Sequence, residues 1–221
     1  MKAKIIEIFK SIQGEGIYQG IPQVFVRFFG CNLNCIYCDT KINYYKEKTL
    51  EEVIESILCY KNYHSISLTG GEPLLNLNFL KFLLSRLKKE NKIVYLETNG
   101  TLFKNLKEII EYIDIISMDF KLPSSTGLGS FWQEHREFLK IGINKNIFVK
   151  AVIGPNTDLI DIIKSIEIIK EIKKEIFFVL QPQNPFEEEL REKLDFFKKT
   201  CIENGINTKI IPQLHKKIMV R

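Results

Sequence analysis

The sequence predicts an α/β chain built on an open, curved parallel sheet, a partial barrel of six strand–helix units. Short runs of β-branched and aromatic residues alternate with amphipathic helical stretches between residues 23 and 203, most of them closed by Gly, Pro, Asn or Asp. Strands separated by helices pair in parallel, because parallel neighbours need a long crossover. Six units fall short of the eight that close a barrel. With 221 residues and 45% hydrophobic content the chain suits one sizeable core. One domain over 1–221 is expected: an N-terminal segment 1–22, a strand–helix core 23–205 and a C-terminal tail 206–221.

Residues 4–10 alternate weakly and run into Ser11-Ile12-Gln13-Gly14-Glu15-Gly16. By itself that segment reads as a turn, although two glycines around a carboxylate can also bring backbone and polar side chains against a flat ligand. Gln23-Val24-Phe25-Val26-Arg27-Phe28-Phe29 reads as a buried strand between Pro22 and Gly30. Arg27 is its exception: a guanidinium there needs a carboxylate, either an internal Glu or Asp or one on a ligand. Thr49 and Glu52 make a capping box for a helix with buried positions 50, 53, 54, 57 and 58, and Cys59 at its end is expected to be a core thiol. Strand 65–68 stops at Thr69-Gly70-Gly71-Glu72-Pro73, and helix 77–90 leads to strand 93–96 and Glu97-Thr98-Asn99-Gly100. Helix 104–112 precedes strand 114–119, which ends at Phe120-Lys121-Leu122-Pro123-Ser124-Ser125. A helix near 131–139, strand 147–153, helix 158–173, strand 176–180 with Gln181-Pro182-Gln183, helix 187–203 and the segment 208–216 complete the chain.

Three of the five cysteines, Cys31, Cys35 and Cys38, fall in one loop with spacing C-x3-C-x2-C. Bridging two of them would close a tiny ring and strand the third, so a metal centre is the natural reading. A structural zinc site wants four protein ligands, and His64, His135, His215, Cys59 and Cys201 are scattered. A four-iron four-sulfur cluster usually takes one cysteine per iron, so three leave one iron open to a small molecule. Three reduced cysteines, or zinc with one remote ligand, stay open as alternatives. In α/β sheets the loops after the strands converge on one rim, which places the polar clusters together. There Gly70-Gly71 would let backbone approach a ligand, and Glu97, Ser117, Lys121 and Gln181 offer donors and acceptors, each equally suited to a surface or a cap.

The net charge of +5 comes from lysines interleaved with glutamates, a solvated surface rather than a nucleic-acid footprint. No apolar run suits a membrane span and the N-terminus is charged too early for a signal peptide, so no membrane association and a cytoplasmic location are expected. Five cysteines with a tight triplet fit a reducing compartment.

Along most of its length the chain resembles the radical S-adenosylmethionine (SAM) superfamily, through the cysteine triplet with Tyr37 before its last member, Gly-Gly-Glu-Pro at 70–73, and Glu97. More narrowly, Ser11-Ile12-Gln13-Gly14-Glu15-Gly16, Arg27, Cys38-Asp39-Thr40, Glu97-Thr98-Asn99-Gly100, Pro123-Ser124-Ser125 and Pro212-Gln213-Leu214-His215 are similar to the 7-carboxy-7-deazaguanine synthase family. The resemblance implies a partial (βα)6 TIM-like barrel of the radical SAM type and a lyase that converts 6-carboxy-5,6,7,8-tetrahydropterin to 7-carboxy-7-deazaguanine with loss of ammonia, on the way to queuosine or archaeosine. It implies a 4Fe-4S cluster on Cys31, Cys35 and Cys38, SAM held by Tyr37, Cys38, Asp39, Gly71, Glu97, Ser117, Lys121 and Gln181, and Mg2+ on Thr40. Substrate would meet Ile12, Gln13, Gly14, Glu15, Arg27 and Thr69, with segment 1–22 touching it and the tail closing over it. A flavodoxin or ferredoxin as electron donor and a homodimer are implied too. One departure stands out: where the family often has a compact Ser-Pro-Lys, this chain reads Ser117-Met118-Asp119-Phe120-Lys121, so the family's lysine aligns with either Asp119 or Lys121, and the distance to Pro123-Ser124-Ser125 favours Lys121. A glycyl-radical enzyme activase shares the triplet but gives Arg27 and the Gln-Gly-Glu-Gly loop no small-molecule task. A zinc- or iron-binding interaction module would make the polar loops a protein surface.

Replacing Cys31, Cys35 or Cys38 by Ala should abolish cluster assembly on anaerobic reconstitution, while Cys59→Ala and Cys201→Ala keep normal iron content and spectrum; full iron without Cys35 would refute the assignment.

Overall fold

A computed structural model describes residues 1–38, 43–172, 175–185, 188 and 190–214. Strands β1 (Lys2–Ile12), β2 (Pro22–Phe28), β3 (Lys46–Thr49), β4 (Ser65–Gly70), β5 (Val94–Thr98), β6 (Ile115–Asp119), β7 (Asn146–Ile153), β8 (Phe177–Pro182) and β9 (Thr208–Ile210) join in one nine-stranded sheet. Its order is β3-β1-β2-β4-β5-β6-β7-β8-β9. From β2 through β9 all pairings are parallel, whereas β1 pairs antiparallel with both β2 and β3. The crossovers carry helices α1 (Leu50–Leu58), α2 (Leu77–Lys89), α3 (Phe103–Lys107), α4 (Pro123–Thr126), α5 (Trp132–Gly142), α6 (Leu159–Ile172) and α7 (Leu190–Glu203).

The six expected strands are β2 and β4 to β8; β1, β3 and β9 are additions. β3 reads Lys-Glu-Lys-Thr, a charged edge that discourages pairing with other chains and shows no hydrophobic period. The expected helix 104–112 is shorter. Ile109 leaves helical geometry (φ −131°, ψ 1°) to bury its side chain, and a 3-10 turn, Ile110–Tyr112, finishes the crossover. The capping box forms as expected: Thr49 Oγ1 accepts the Glu52 N–H at 3.2 Å and the Glu52 carboxylate accepts the Thr49 N–H at 2.6 Å. Cys59 is not a core thiol. The buried stripe runs through Val53, Ile54 and Ile57, so its next turn falls near residue 60, and Cys59 faces solvent.

Pleating sorts the strands into two faces. One face, including Val24, Val26, Ile66, Leu68, Leu96 and Val149, packs against Leu80, Leu83, Ile162 and Leu194 of the helices. The other carries an apolar floor of Tyr95, Ile115, Phe148 and Val179 under Tyr18 and Ile211. Two residues further along each of these strands, toward the C-terminal end, stand Glu97, Ser117, Lys150 and Gln181.

Gly70 and Gly71 let backbone approach closely: a Cβ on Gly71 would lie 2.0 Å from the Gly30 carbonyl oxygen, and one on Gly70, at φ +125°, 2.1 Å from that of Phe28. The Gly71 N–H donates to Phe28 O at 3.1 Å and the Glu72 N–H to Gly30 O at 2.9 Å, laying the loop after β4 directly on the start of the cysteine loop. Gly71→Ala should therefore cost about 2 kcal/mol or more in urea unfolding, by the logic of overpacking. Gly129→Ala, where a Cβ meets nothing within 4 Å, should change stability far less.

Candidate active site

At the C-terminal ends of the parallel strands lies a cavity of about 650 Å3, with Cys31, Cys35 and Cys38 on one wall. Cys35 is buried and the other two are exposed. Their loop is braced by the loop after β5: Asn99 Nδ2 donates to Asn32 Oδ1 at 2.9 Å and lies 3.8 Å from Cys31 Sγ, while Asn32 Nδ2 donates to Thr101 Oγ1 at 2.9 Å. Asn99 is itself pinned through its backbone. Its N–H donates to Glu72 Oε2 at 2.8 Å, and its carbonyl lies 3.2 Å from His135 Nε2. Complete burial pushes the Glu72 carboxyl up to about 7, against the pull of its N–H donors, and drives His135 down to about 4.

Around the rest of the cavity the side chains are already tied together. Gln13 Nε2 donates to Gln23 Oε1 at 2.9 Å and Glu97 Oε1 at 2.7 Å, and its Oε1 accepts the Glu15 N–H at 3.0 Å. Thr69 Oγ1 donates to Glu97 Oε2 at 2.7 Å. Arg27 Nε donates to Glu7 Oε1 at 2.9 Å, so the internal partner foreseen for it exists, yet the guanidinium also borders the cavity. A line of alternating charge crosses the wall: Glu15 to Lys150, Lys150 to Asp119 at 3.4 Å, Asp119 to Lys121 at 2.8 Å. Lys121 then lies 3.5 Å from the Tyr37 hydroxyl. Burial lowers the Lys121 pKa, but Asp119, together with Tyr37 and Cys35, more than offsets it and holds the ammonium above its usual range. Burial also raises the Cys31 and Cys35 thiols and the Tyr37 phenol.

The sequence-derived residues Ile12, Gln13, Gly14, Glu15, Arg27, Tyr37, Thr69, Gly71, Glu97, Lys121 and Gln181 all border this cavity. Ser117 does not. Its hydroxyl hydrogen-bonds to Tyr95 of the floor, and Asp119, two residues on, borders the cavity. Asp39, Thr40 and His215 fall outside the described residues. Glu97, expected near SAM, is bonded to Gln13 and Thr69, both expected near substrate. Sequence reasoning missed Asp119, Lys150 and Gln213. Lys150 carried the same signal as Arg27, a lone charge in an apolar strand, Ile147 to Ile153.

Among the described residues no three His, Cys, Asp or Glu converge on a single ion. The three thiols instead share one wall, a donor set of soft ligands suited to an iron–sulfur cluster. Beside them the cavity has two buried acceptors with no hydrogen-bond partner among the described residues, Gln181 Oε1 and Asp119 Oδ1. Such orphans fit a polar ligand that brings N–H or O–H donors, as SAM does.

An open parallel sheet with a three-cysteine loop after its first parallel strand defines a radical SAM protein, and the Radical SAM superfamily matches residues 25–197. Within it, this chain belongs to the 7-carboxy-7-deazaguanine synthase family. It is 36% identical to the 7-carboxy-7-deazaguanine synthase of Geobacter sulfurreducens, over 97% of this chain and 96% of that one. It is also 36% identical to that of Archaeoglobus fulgidus, over the full length of both. In fold it is similar to QueE from Escherichia coli, with TM-score 0.66, 21% identity and coverage of 95% and 94%. A domain of a pyruvate-formate lyase-activating enzyme from Bacteroides vulgatus shares the fold less closely, with TM-score 0.52, 16% identity and coverage of 66% and 98%.

The two groups that pin Asn99 should leave opposite marks on stability. Glu72 has a folded pKa above its ordinary 4.5, so its contribution is full below pH 4.5 and lost as pH rises through about 7. His135 has one below its ordinary 6.5, so its contribution is full above pH 6.5 and lost as pH falls through about 4. On acidification from pH 7 to 5, Glu72→Gln should lose stability relative to wild type and His135→Gln should gain, each by up to about 1 kcal/mol per pH unit in urea titrations of the apoprotein. Parallel profiles for all three proteins would contradict both assignments.

Proposed function

We propose that the chain is a radical SAM carbon–nitrogen lyase that contracts the ring of 6-carboxy-5,6,7,8-tetrahydropterin to 7-carboxy-7-deazaguanine with loss of ammonia, in the route to deazapurine nucleosides such as queuosine or archaeosine. The observation that carries this reading is that Arg27 and the Gln13-Gly14-Glu15 loop share one cavity with the three cysteines. Its volume, about 650 Å3, is in the range of small-molecule sites. An activase acting on a protein would have no use for this preformed polar wall.

When bound, the cluster and SAM would supply the radical chemistry that abstracts hydrogen from the substrate. The chain's own residues bind and orient. Cys31, Cys35 and Cys38 would hold the cluster, on a loop braced by Asn99 and Thr101. Gln181 Oε1 and Asp119 Oδ1 would accept hydrogen bonds from SAM, with Tyr37, Gly71 and Lys121 around it. On the substrate side, Glu97 fixes Gln13 and Thr69, so the loop that reads the pterin edge is set before the ligand arrives. Among the described residues Arg27 uses only Nε, on Glu7, which leaves its terminal N–H groups to make a charge-assisted pair with the substrate carboxylate. The Mg2+ implied by the resemblance would be held through Thr40, outside the described residues. An external electron donor such as a flavodoxin or ferredoxin, a homodimer and a cytoplasmic location belong to the same reading. No helix among the described residues is long and apolar enough to cross a membrane.

Arg27→Ala should lose on the order of 2 to 5 kcal/mol in kcat/KM for the carboxylated pterin while keeping the cluster and slow uncoupled SAM cleavage. Arg27→Lys should recover only part, since an ammonium lacks the planar fork. The decisive comparison is a tetrahydropterin without the 6-carboxylate: wild type should discriminate against it and Arg27→Ala hardly at all. If the Ala variant keeps the preference, Arg27 serves Glu7 alone and its assignment to substrate fails.

A further inference from the structure

Asn99, in the loop after β5, is 5% exposed, and its side-chain amide is fixed in one orientation. The Thr101 N–H donates to its Oδ1 at 3.0 Å and the Thr101 hydroxyl donates to the same oxygen at 2.7 Å. A backbone N–H can only donate, so the amide turned over would set donor against donor. Nδ2 must therefore face the cysteine loop. One of its two N–H groups goes to Asn32 Oδ1 at 2.9 Å, and the other is directed at Cys31 Sγ, 3.8 Å away. Asn32 Nδ2 closes the circuit on Thr101 Oγ1 at 2.9 Å.

The backbone is held as firmly. The Asn99 N–H donates to the buried Glu72 carboxylate at 2.8 Å, and the Asn99 carbonyl lies 3.2 Å from Nε2 of His135, whose ring stacks on Phe120 with centroids 4.8 Å apart. Little of this is needed to make a turn. The bond from the Thr101 N–H to Asn99 Oδ1 is an Asx turn, and an aspartate would make it equally well. What an aspartate cannot supply is an N–H, and beside a cysteine thiolate it would set a second anion. The residue type is thus matched to the sulfur and not to the turn alone.

We propose that Asn99 is a positioning residue for the redox chemistry of the site: its amide N–H, preorganised against Cys31 Sγ, raises the reduction potential of the 4Fe-4S cluster and so eases one-electron reduction by an external donor. This rests on the assignment of the cluster to Cys31, Cys35 and Cys38. Reduction adds negative charge to the cluster, part of it on the ligating sulfurs, and an N–H aimed at such a sulfur stabilises the reduced form more than the oxidised one. Burial of the amide strengthens the effect. The Leu33 N–H, 3.4 Å from the same sulfur, acts in the same sense from the backbone.

The test reads the cluster rather than turnover. Wild type, Asn99→Leu, Asn99→Asp and Asn32→Ala are reconstituted anaerobically, and the reduced cluster is followed by electron paramagnetic resonance in a redox titration without SAM. At the wild-type midpoint, Asn99→Leu, which removes the donor, should lower the ratio of reduced to oxidised cluster by a factor of about 10, which is about 59 mV for one electron. Asn99→Asp keeps the shape and the turn but brings a carboxylate, so its shift should be larger in the same direction. Asn32→Ala breaks the brace between the loops while leaving the Asn99 donor, and its ratio should stay within about twofold of wild type. The brace is read separately, from iron content, which Asn99→Leu and Asn32→Ala should lower to a similar extent. Should Asn99→Leu not hold a cluster, Asn99→Asp carries the comparison. An unshifted or raised midpoint in either Asn99 variant, an equal fall in Asn32→Ala, or failure of both Asn99 variants to assemble a cluster makes Asn99 a structural residue and overturns the proposal. A wild type that shows no 4Fe-4S signal overturns the assignment of the three cysteines instead.

Discussion

Everything at this site depends on the two-residue alternation of parallel strands. A side chain that faces away from the helices at one position is followed, two residues later and one layer nearer the strand ends, by another on the same face. Tyr95 is thus followed by Glu97, Phe148 by Lys150 and Val179 by Gln181. The lower layer is closed by aromatic contact, with Tyr18 5.5 Å from Tyr95 and 6.4 Å from Phe148 between ring centroids. Water is thereby excluded from below, and the polar layer above works over a low-dielectric floor where each hydrogen bond counts for more than at a surface.

The cysteine loop adds a second constraint, since it has no regular structure of its own. It is held by its neighbours: backbone of the loop after β4 lies against Phe28 and Gly30, and Asn99 and Thr101 grip Asn32. Glu72 is the common support. Fully buried, it takes N–H groups of Leu74 and Asn99 and the Thr98 hydroxyl, stitching the loops after β4 and β5 together. The second glycine and the glutamate of the Gly-Gly-Glu-Pro motif both join protein to protein here, a use that spacing among residues does not reveal.

Much of this was legible in the sequence. The six central parallel strands announce themselves because both their faces are largely apolar, and the helices because their stripes repeat. The edge strands β3 and β9 escaped for the converse reason: an edge strand needs little hydrophobic surface, and β3 has none, while β1, between β3 and β2, shows only a weak alternation. Arg27 was read as a charge with a task while Lys150, in an equivalent setting, was passed over. The difference lay in proximity to the cysteines along the chain, a poor guide when β7 is brought to the same wall by pairing. Ser117 shows the limit of motif matching. Its place in the motif suggested the rim, but its hydroxyl is taken by Tyr95 and it does not border the cavity, which spacing in the sequence does not reveal.

The register of β6 with β7 also joins the Ser-Met-Asp-Phe-Lys segment to Lys150. Asp119 pairs in register with Lys150, and its Oδ2 lies 2.8 Å from Lys121 and 3.4 Å from Lys150. Two ammonium groups sharing a buried wall repel each other, and each alone would shed its proton on burial. One carboxylate between them removes both difficulties, and Glu15 at the far end brings the line of four charges to zero. Asp119 is therefore the residue that makes Lys150 tolerable. The longer Ser-Met-Asp-Phe-Lys segment and the lysine two strand layers above Asn146 are in this sense one feature, written in two places along the chain and joined only by the pairing of β6 with β7.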